Sequence, residues 1–149
     1  MAETPKFGSI VHVEIQSNDP PTTTRFFREV FGWKIREMPE MDYTLWNAAS
    51  GPGGGFMKPQ EGMSPGTLNH IFSKEIESDA RKIQAAGGAI LMPKTEIPKV
   101  GWFAVFREPG GAVLALYQDL PKSHAAERKP APKPTRKSTK KAGKGKGRR

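Results

Sequence analysis

The stretch 10-IVHVEIQSND-19 decides the fold. Val11, Val13 and Ile15 alternate with His12, Glu14 and Gln16, the two-residue period of a strand with one apolar and one polar face. Asp19 then offers an N-cap, and Pro20 and Pro21 suit a first helical turn, where backbone N–H groups need no intrahelical partner. Phe26/Val30 and Phe27/Phe31 follow at i,i+4 as a broad apolar stripe, and Gly32 is a good stop. The spacing predicts a helix over 20–31.

Downstream, 33-WKIREM-38 and 42-DYTLWNAA-49 read as strands, and 51-GPGGGFMK-58 as a third strand entered through a flexible glycine corner. The glycines 53-GGG-55 are not a phosphate cradle, because no Lys-Ser/Thr follows and the next element is a strand. The second half repeats the order: a strand at 67-TLNHIFS-73, a helix at 75-EIESDARKIQAAGG-88, then strands at 89-AILMP-93, 100-VGWFAVF-106 and 112-AVLALYQ-118. Laying Asp19 over Glu75 gives an offset of 56, and laying Gly32 over Gly87 gives 55. The expected fold is α+β, two βαβββ modules at about 8–60 and 66–120. Their curved mixed sheets form a cup, with helices outside and the concave face as the ligand site.

The chain has 149 residues, enough for one domain with a single core. Its net charge of +9 is unevenly spread: residues 1–121 carry 12 Lys+Arg against 14 Asp+Glu, whereas residues 122–149 carry 12 against Glu127 alone. The tail has no aromatic residue and no Val, Ile, Leu or Met, so it is expected to be disordered, with the folded domain ending near Leu120 after an N-terminal arm over 1–7. There is no cysteine, which excludes disulfides, thiolate metal sites and thiol nucleophiles. No apolar run approaches the roughly 20 residues of a membrane span, and the stretch 1-MAETPKFGS-9 lacks the basic-then-apolar pattern expected of a signal peptide. A cytoplasmic protein without membrane contact is expected.

The run 12-HVEIQSNDPPTTTRFFREVFGW-33 resembles the opening of the glyoxalase, or vicinal oxygen chelate, superfamily: a strand with a His, Asp-Pro, and a helix ending in Phe-Phe-x-x-Val-Phe-Gly-Trp. The run 101-GWFAVFREPGGAVLALYQ-118 resembles the closing hairpin of the same family. The resemblance covers about residues 8–118. It implies paired βαβββ modules, a small-molecule ligand in the cup, frequent homodimers, and lyase, isomerase or dioxygenase chemistry in those members that are enzymes. In these a divalent metal, bound by His and Glu of the first and last module strands, polarises substrate oxygens. His12 stands at the first ligand position. Leu68 and Ala115 stand at two others, and residues 51–60 hold no acid or His, so the usual metal site is largely lost and no cofactor is assigned.

At an offset of 56, Glu14 pairs with His70, so His12, Glu14 and His70 could share the cup as replacement ligands for a divalent metal. At an offset of 55, His70 turns to the helix side. The blander reading is a polar wall, with His12 bonded to Glu14. Glu14 is the candidate catalytic acid–base, since a carboxylate in a partly apolar cup has its pKa raised toward neutrality. The expected ligand pocket is His12, Glu14, Gln16, Trp46, His70 and Trp102. Tyr43, Phe56, Phe103 and Phe106 are further aromatics that either stack a flat ligand or fill the core. A second reading makes the cup domain a dimeric scaffold and the tail the working part, with Lys133, Arg136, Lys137, Lys140, Lys141, Lys144, Lys146, Arg148 and Arg149 binding nucleic acid without sequence preference.

Overall fold

The computed structural model describes residues 4–121. Its elements are β1 (Ile10–Gln16), α1 (Pro20–Phe31), β2 (Lys34–Met38), a 3-10 turn (Pro39–Met41), β3 (Tyr43–Asn47), β4 (Gly53–Met57), β5 (Gly66–Phe72), α2 (Ile76–Ala85), β6 (Ala89–Ile97), β7 (Gly101–Arg107) and β8 (Val113–Asp119). The fold is α+β, two βαβββ modules whose strands join in one eight-stranded sheet of order β2-β3-β4-β1-β5-β8-β7-β6. Within each module the first and last strands pair in parallel, β1 with β4 and β5 with β8. The modules meet where β1 and β5 pair antiparallel.

That junction settles the register of the repeat. Val13 lies opposite Asn69 and His12 opposite His70, so a pseudo-twofold passes through the Val13/Asn69 pair and relates residues at an offset of 56. The turns into the helices repeat at the same offset. The Ser17 hydroxyl bonds Thr23 Oγ1 at 2.6 Å and accepts from Asp19 N, while the Ser73 hydroxyl donates to Asp79 Oδ2 at 2.6 Å and accepts from Glu75 N. The offset of 55 at the glycines arises after the helices, because α2 is shorter than α1.

α1 begins as its sequence predicts. Asp19 Oδ1 accepts from Thr22 N, two prolines fill the first turn, and Gly32 closes the helix in the left-handed region at φ 66°. The predicted stripe, however, is only partly covered. Phe27 stacks on Trp33, whereas Phe26, Val30 and Phe31 are 52%, 56% and 59% exposed. Ile76 of α2 and the strand residues Ala104, Phe106 and Leu116 form the core of the second module.

β6 runs to Ile97, past the expected end at Pro93. It is an edge strand with register shifts on either side of Met92, and such a strand tolerates a residue without an N–H. The nucleic-acid reading of the basic tail falls on residues outside those described.

Candidate functional site

The face of β1 that carries His12, Glu14 and Gln16 is opposite the helices. Strand pairing carries the same face to Leu68 and His70 on β5, Gly53 and Gly55 on β4, and Ala115 on β8. The side chains predicted from β1 and β5 therefore come together. His12 and His70 are directly opposite, their rings edge-to-face with centroids 5.1 Å apart. Gln16 Nε2 donates to Glu14 Oε1 at 2.8 Å. The expected His12–Glu14 hydrogen bond is replaced by two others, with Glu14 held by Gln16 and His12 Nε2 bonded to the Tyr43 hydroxyl at 2.7 Å.

Tyr43 reaches His12 from β3, two strands away, because it crosses a residue without a side chain. A Cβ at Gly55 would stand about 2.0 Å from the phenol ring and its oxygen. On the other face, a Cβ at Gly54 would meet the Trp46 indole at 2.4 Å and the Val13 carbonyl oxygen at 1.8 Å. Gly54 and Gly55 thus do more than bend the chain: one makes room for Trp46 and the other for Tyr43.

Trp46 and Trp102 do not join the cup. Trp46 pairs with Gly54, which pairs with Val13, and these share the α1 side of the sheet. There Trp46 stacks on Trp33 at 4.0 Å and donates Nε1–H to the Gly55 carbonyl. Trp102 packs against the core under α2, with the Lys94 ammonium 4.8 Å above its ring. Phe56 and Phe106 also belong to the helix side. Of the expected aromatics, register puts Tyr43 and Phe103 on the cup face.

Burial sets the electrostatics. It lowers the pKa of His12 to about 4, and the neighbouring His70 acts in the same direction. Burial likewise holds His70 below its ordinary value. Both imidazoles are therefore neutral at pH 7. Burial raises the pKa of Glu14 against the opposing hydrogen bond from Gln16. Tyr43 is pushed far above the usual phenol range, first by burial and then by the Glu14 charge, so it keeps its proton. His70 is 6% exposed, and its Nδ1 is sealed without a hydrogen-bond partner. The carbonyls of Leu68 and His12 help its protonated form slightly but complete no bond to that nitrogen.

These residues do not fit the metal of a vicinal oxygen chelate. Among the described residues no group of three or more His, Asp or Glu side chains is disposed to hold an ion. The Nε2 of His12 is engaged by a phenol, and Glu14 is drawn to Gln16. Apart from the His12–His70 pair itself, the residues registered against His12, Glu14 and His70 are Gly53, Gly55, Leu68 and Ala115, none of which brings a side-chain donor. The replacement set His12, Glu14 and His70 shares a face without converging on one point. What the arrangement offers is a carboxylate of raised pKa beside neutral hydrogen-bonding groups.

Comparison with known proteins agrees with this architecture. Residues 9–47 match the family model for the bleomycin resistance protein-like N-terminal region. CFP32 of Mycobacterium bovis and of Mycobacterium tuberculosis, which bears a glyoxylase name, is 28% identical over 121 residues, 76% of this chain. The chain spans 45% of the length of these curated relatives, about half. Among solved structures, methylmalonyl-CoA epimerase from Mycobacterium tuberculosis superposes with a TM-score of 0.61 at 14% identity, covering 84% of this chain and 97% of that one. A glyoxalase/bleomycin resistance protein/dioxygenase superfamily member from Vibrio splendidus 12B01 gives 0.57 at 18% identity, covering 76% and 99%. At such identities the likeness is one of fold.

Proposed function

We propose that this chain, similar in its residues 9–47 to the bleomycin resistance protein-like N-terminal region and in fold to a glyoxalase/bleomycin resistance protein/dioxygenase superfamily member, is a domain of that vicinal oxygen chelate kind, which binds a small molecule on the sheet face opposite its helices and moves a proton with Glu14. The carrying observation is the Glu14 carboxylate, half-buried on the sheet face opposite the helices, and fixed through one oxygen by Gln16 while the other has no hydrogen bond among the described residues.

Such a group suits general base catalysis, because a pKa raised toward neutrality balances base strength against the fraction ionised. The chemistry is proton transfer at a carbon beside a carbonyl. Glu14 takes the C–H proton, the electron pair moves to the carbonyl oxygen, and the proton returns to the same or a neighbouring carbon. The net reaction is an isomerisation when the proton returns to a neighbouring carbon, an epimerisation when the opposite face of the planar enolate is protonated from water, or a lyase step where a leaving group departs, and no oxidant is needed. The epimerase among the structural neighbours is consistent with this class.

The test is exchange of substrate C–H for deuterium in D2O, followed by NMR with the full-length chain and a panel of ketones, 2-oxo acids, 2-hydroxy acids and thioesters. Wild type should accelerate exchange of at least one compound, and Glu14→Gln should lose about 100-fold or more of that rate. Binding without exchange would leave a small-molecule binder and sink the role of Glu14.

Nucleic-acid binding by residues 122–149 stays a separate proposal, resting on composition. A salt titration of DNA binding by the full chain and by a chain ending at Leu120 tests it, and equal binding by the two removes it.

A further inference from the structure

We infer that Tyr43, beside His12 on the sheet face opposite the helices, gives a hydrogen bond from its phenol to a neutral carbonyl oxygen of the ligand. The inference rests on the cup being the binding site and adds the class of group recognised there.

Three observations lead to it. The cup-facing nitrogen of His12 is already engaged by the Tyr43 oxygen at 2.7 Å. The partners a metal would need are absent from the register, since Leu68 faces Glu14 and Ala115 faces His70. Finally, the phenol is held there by construction, because the space it crosses exists only while residue 55 lacks a side chain.

A phenol that keeps its proton can replace part of what a metal does for an oxygen, by hydrogen bonding to charge as it develops. For the hydroxyl hydrogen to be free for a ligand, the His12 Nε2–H donates to the phenol oxygen, and the phenol donates onward. Each bond polarises the next. Glu14 is registered beside Gly55, directly under the region Tyr43 covers, so the base and the donor are neighbours. That proximity also selects the ligand group. An anionic oxygen would meet the Glu14 charge at once, whereas a neutral carbonyl does not, and by the time its oxygen gains charge Glu14 has taken up the proton and lost its own.

The experiment uses the full-length chain, wild type and Tyr43→Phe, a substitution that keeps the ring over Gly55. Three probes are added: Zn²⁺ alone by calorimetry, and cyclohexanone and cyclohexanecarboxylate by NMR of the imidazole signals. The expected results are no stoichiometric Zn²⁺ uptake that depends on His12, a His12 tautomer protonated at Nε2, ketone binding favoured over carboxylate, and about a tenfold loss of ketone affinity in Tyr43→Phe. One Zn²⁺ per wild-type chain that is lost in His12→Ala overturns the inference. So does absent ketone binding, or ketone binding unchanged by Tyr43→Phe. If Glu14-dependent deuterium exchange persists in any of those cases, the proton-transfer reading stands and only the role of Tyr43 falls.

Discussion

Tyr43 lies across Gly55 so closely that a single methyl group there would fall about 2.0 Å from the phenol oxygen. One aromatic residue and one glycine, on adjacent strands, therefore place the hydroxyl that bonds His12.

Gly55→Ala is expected to destabilise the protein by at least about 1–3 kcal/mol, the usual cost of overpacking, because the ring must leave the sheet surface. Gly66→Ala is the matched control. It is also a strand glycine, and a Cβ there meets nothing within 4 Å, so its effect should stay within about 0.5 kcal/mol. Urea unfolding of the two variants checks the difference, and equal midpoints would contradict the crossing of Tyr43 over β4.

The facing imidazoles predict an acid-sensitive fold. The unfolded chain takes up protons on His12 near pH 6.5 and the folded chain only near pH 4, so between these values the unfolded state binds more protons. Stability should therefore fall as the pH drops from 6.5 toward 4, by up to about 3 kcal/mol from His12 once both states are protonated. His70 acts in the same direction. Glu14 acts oppositely: its raised pKa lets the folded state hold a proton longer, so its share of stability falls as pH rises above its ordinary 4.5. Urea midpoints across this range should show the histidine slope dominating in wild type and flattening in His12→Gln.

The two helix entries should respond unequally to the same change. Ser73 is fully buried and its bond to Asp79 is sealed, whereas Ser17 and Thr23 are only half-buried. Ser73→Ala should cost about 1–3 kcal/mol, since it strips a hydrogen bond from a buried carboxylate, and Ser17→Ala distinctly less. Thermal unfolding of both variants measures this.

Pairing of two copies is expected to use the outer face of α1, where Phe26, Val30 and Phe31 are uncovered. Sedimentation velocity should find a dimer that Phe31→Ser dissociates. A wild type that sediments as a monomer at tens of micromolar removes the expectation.

The first 24 residues from Ile10 were legible because cap, prolines, stripe and stop all agree on one helix. The face of His70 was legible once the offset of 56 was chosen over 55, and strand pairing makes that choice. The tryptophans were not legible, because alternation divides a strand into two faces without saying which one a helix covers. Tyr43 and Trp46 are three residues apart and so must face opposite ways, but only α1 packing against Trp33 and Phe56 says which way each points. The Tyr43–His12 contact was hidden for another reason. It joins residues 31 apart, and its enabling glycine reads locally as a loop signal.

The Trp33–Trp46 stack, 4.0 Å between centroids at an interplanar angle of 18°, gives this molecule an optical label of its own. Two indoles held that closely couple their electronic transitions, and this pair belongs wholly to the first module. Trp102, alone under Lys94 in the second module, has no such companion. Circular dichroism in the indole bands therefore reports the first half of the chain, and emission that changes while this signal stays constant reports Trp102 in the second. The order in which the halves come apart can be watched without attaching any probe.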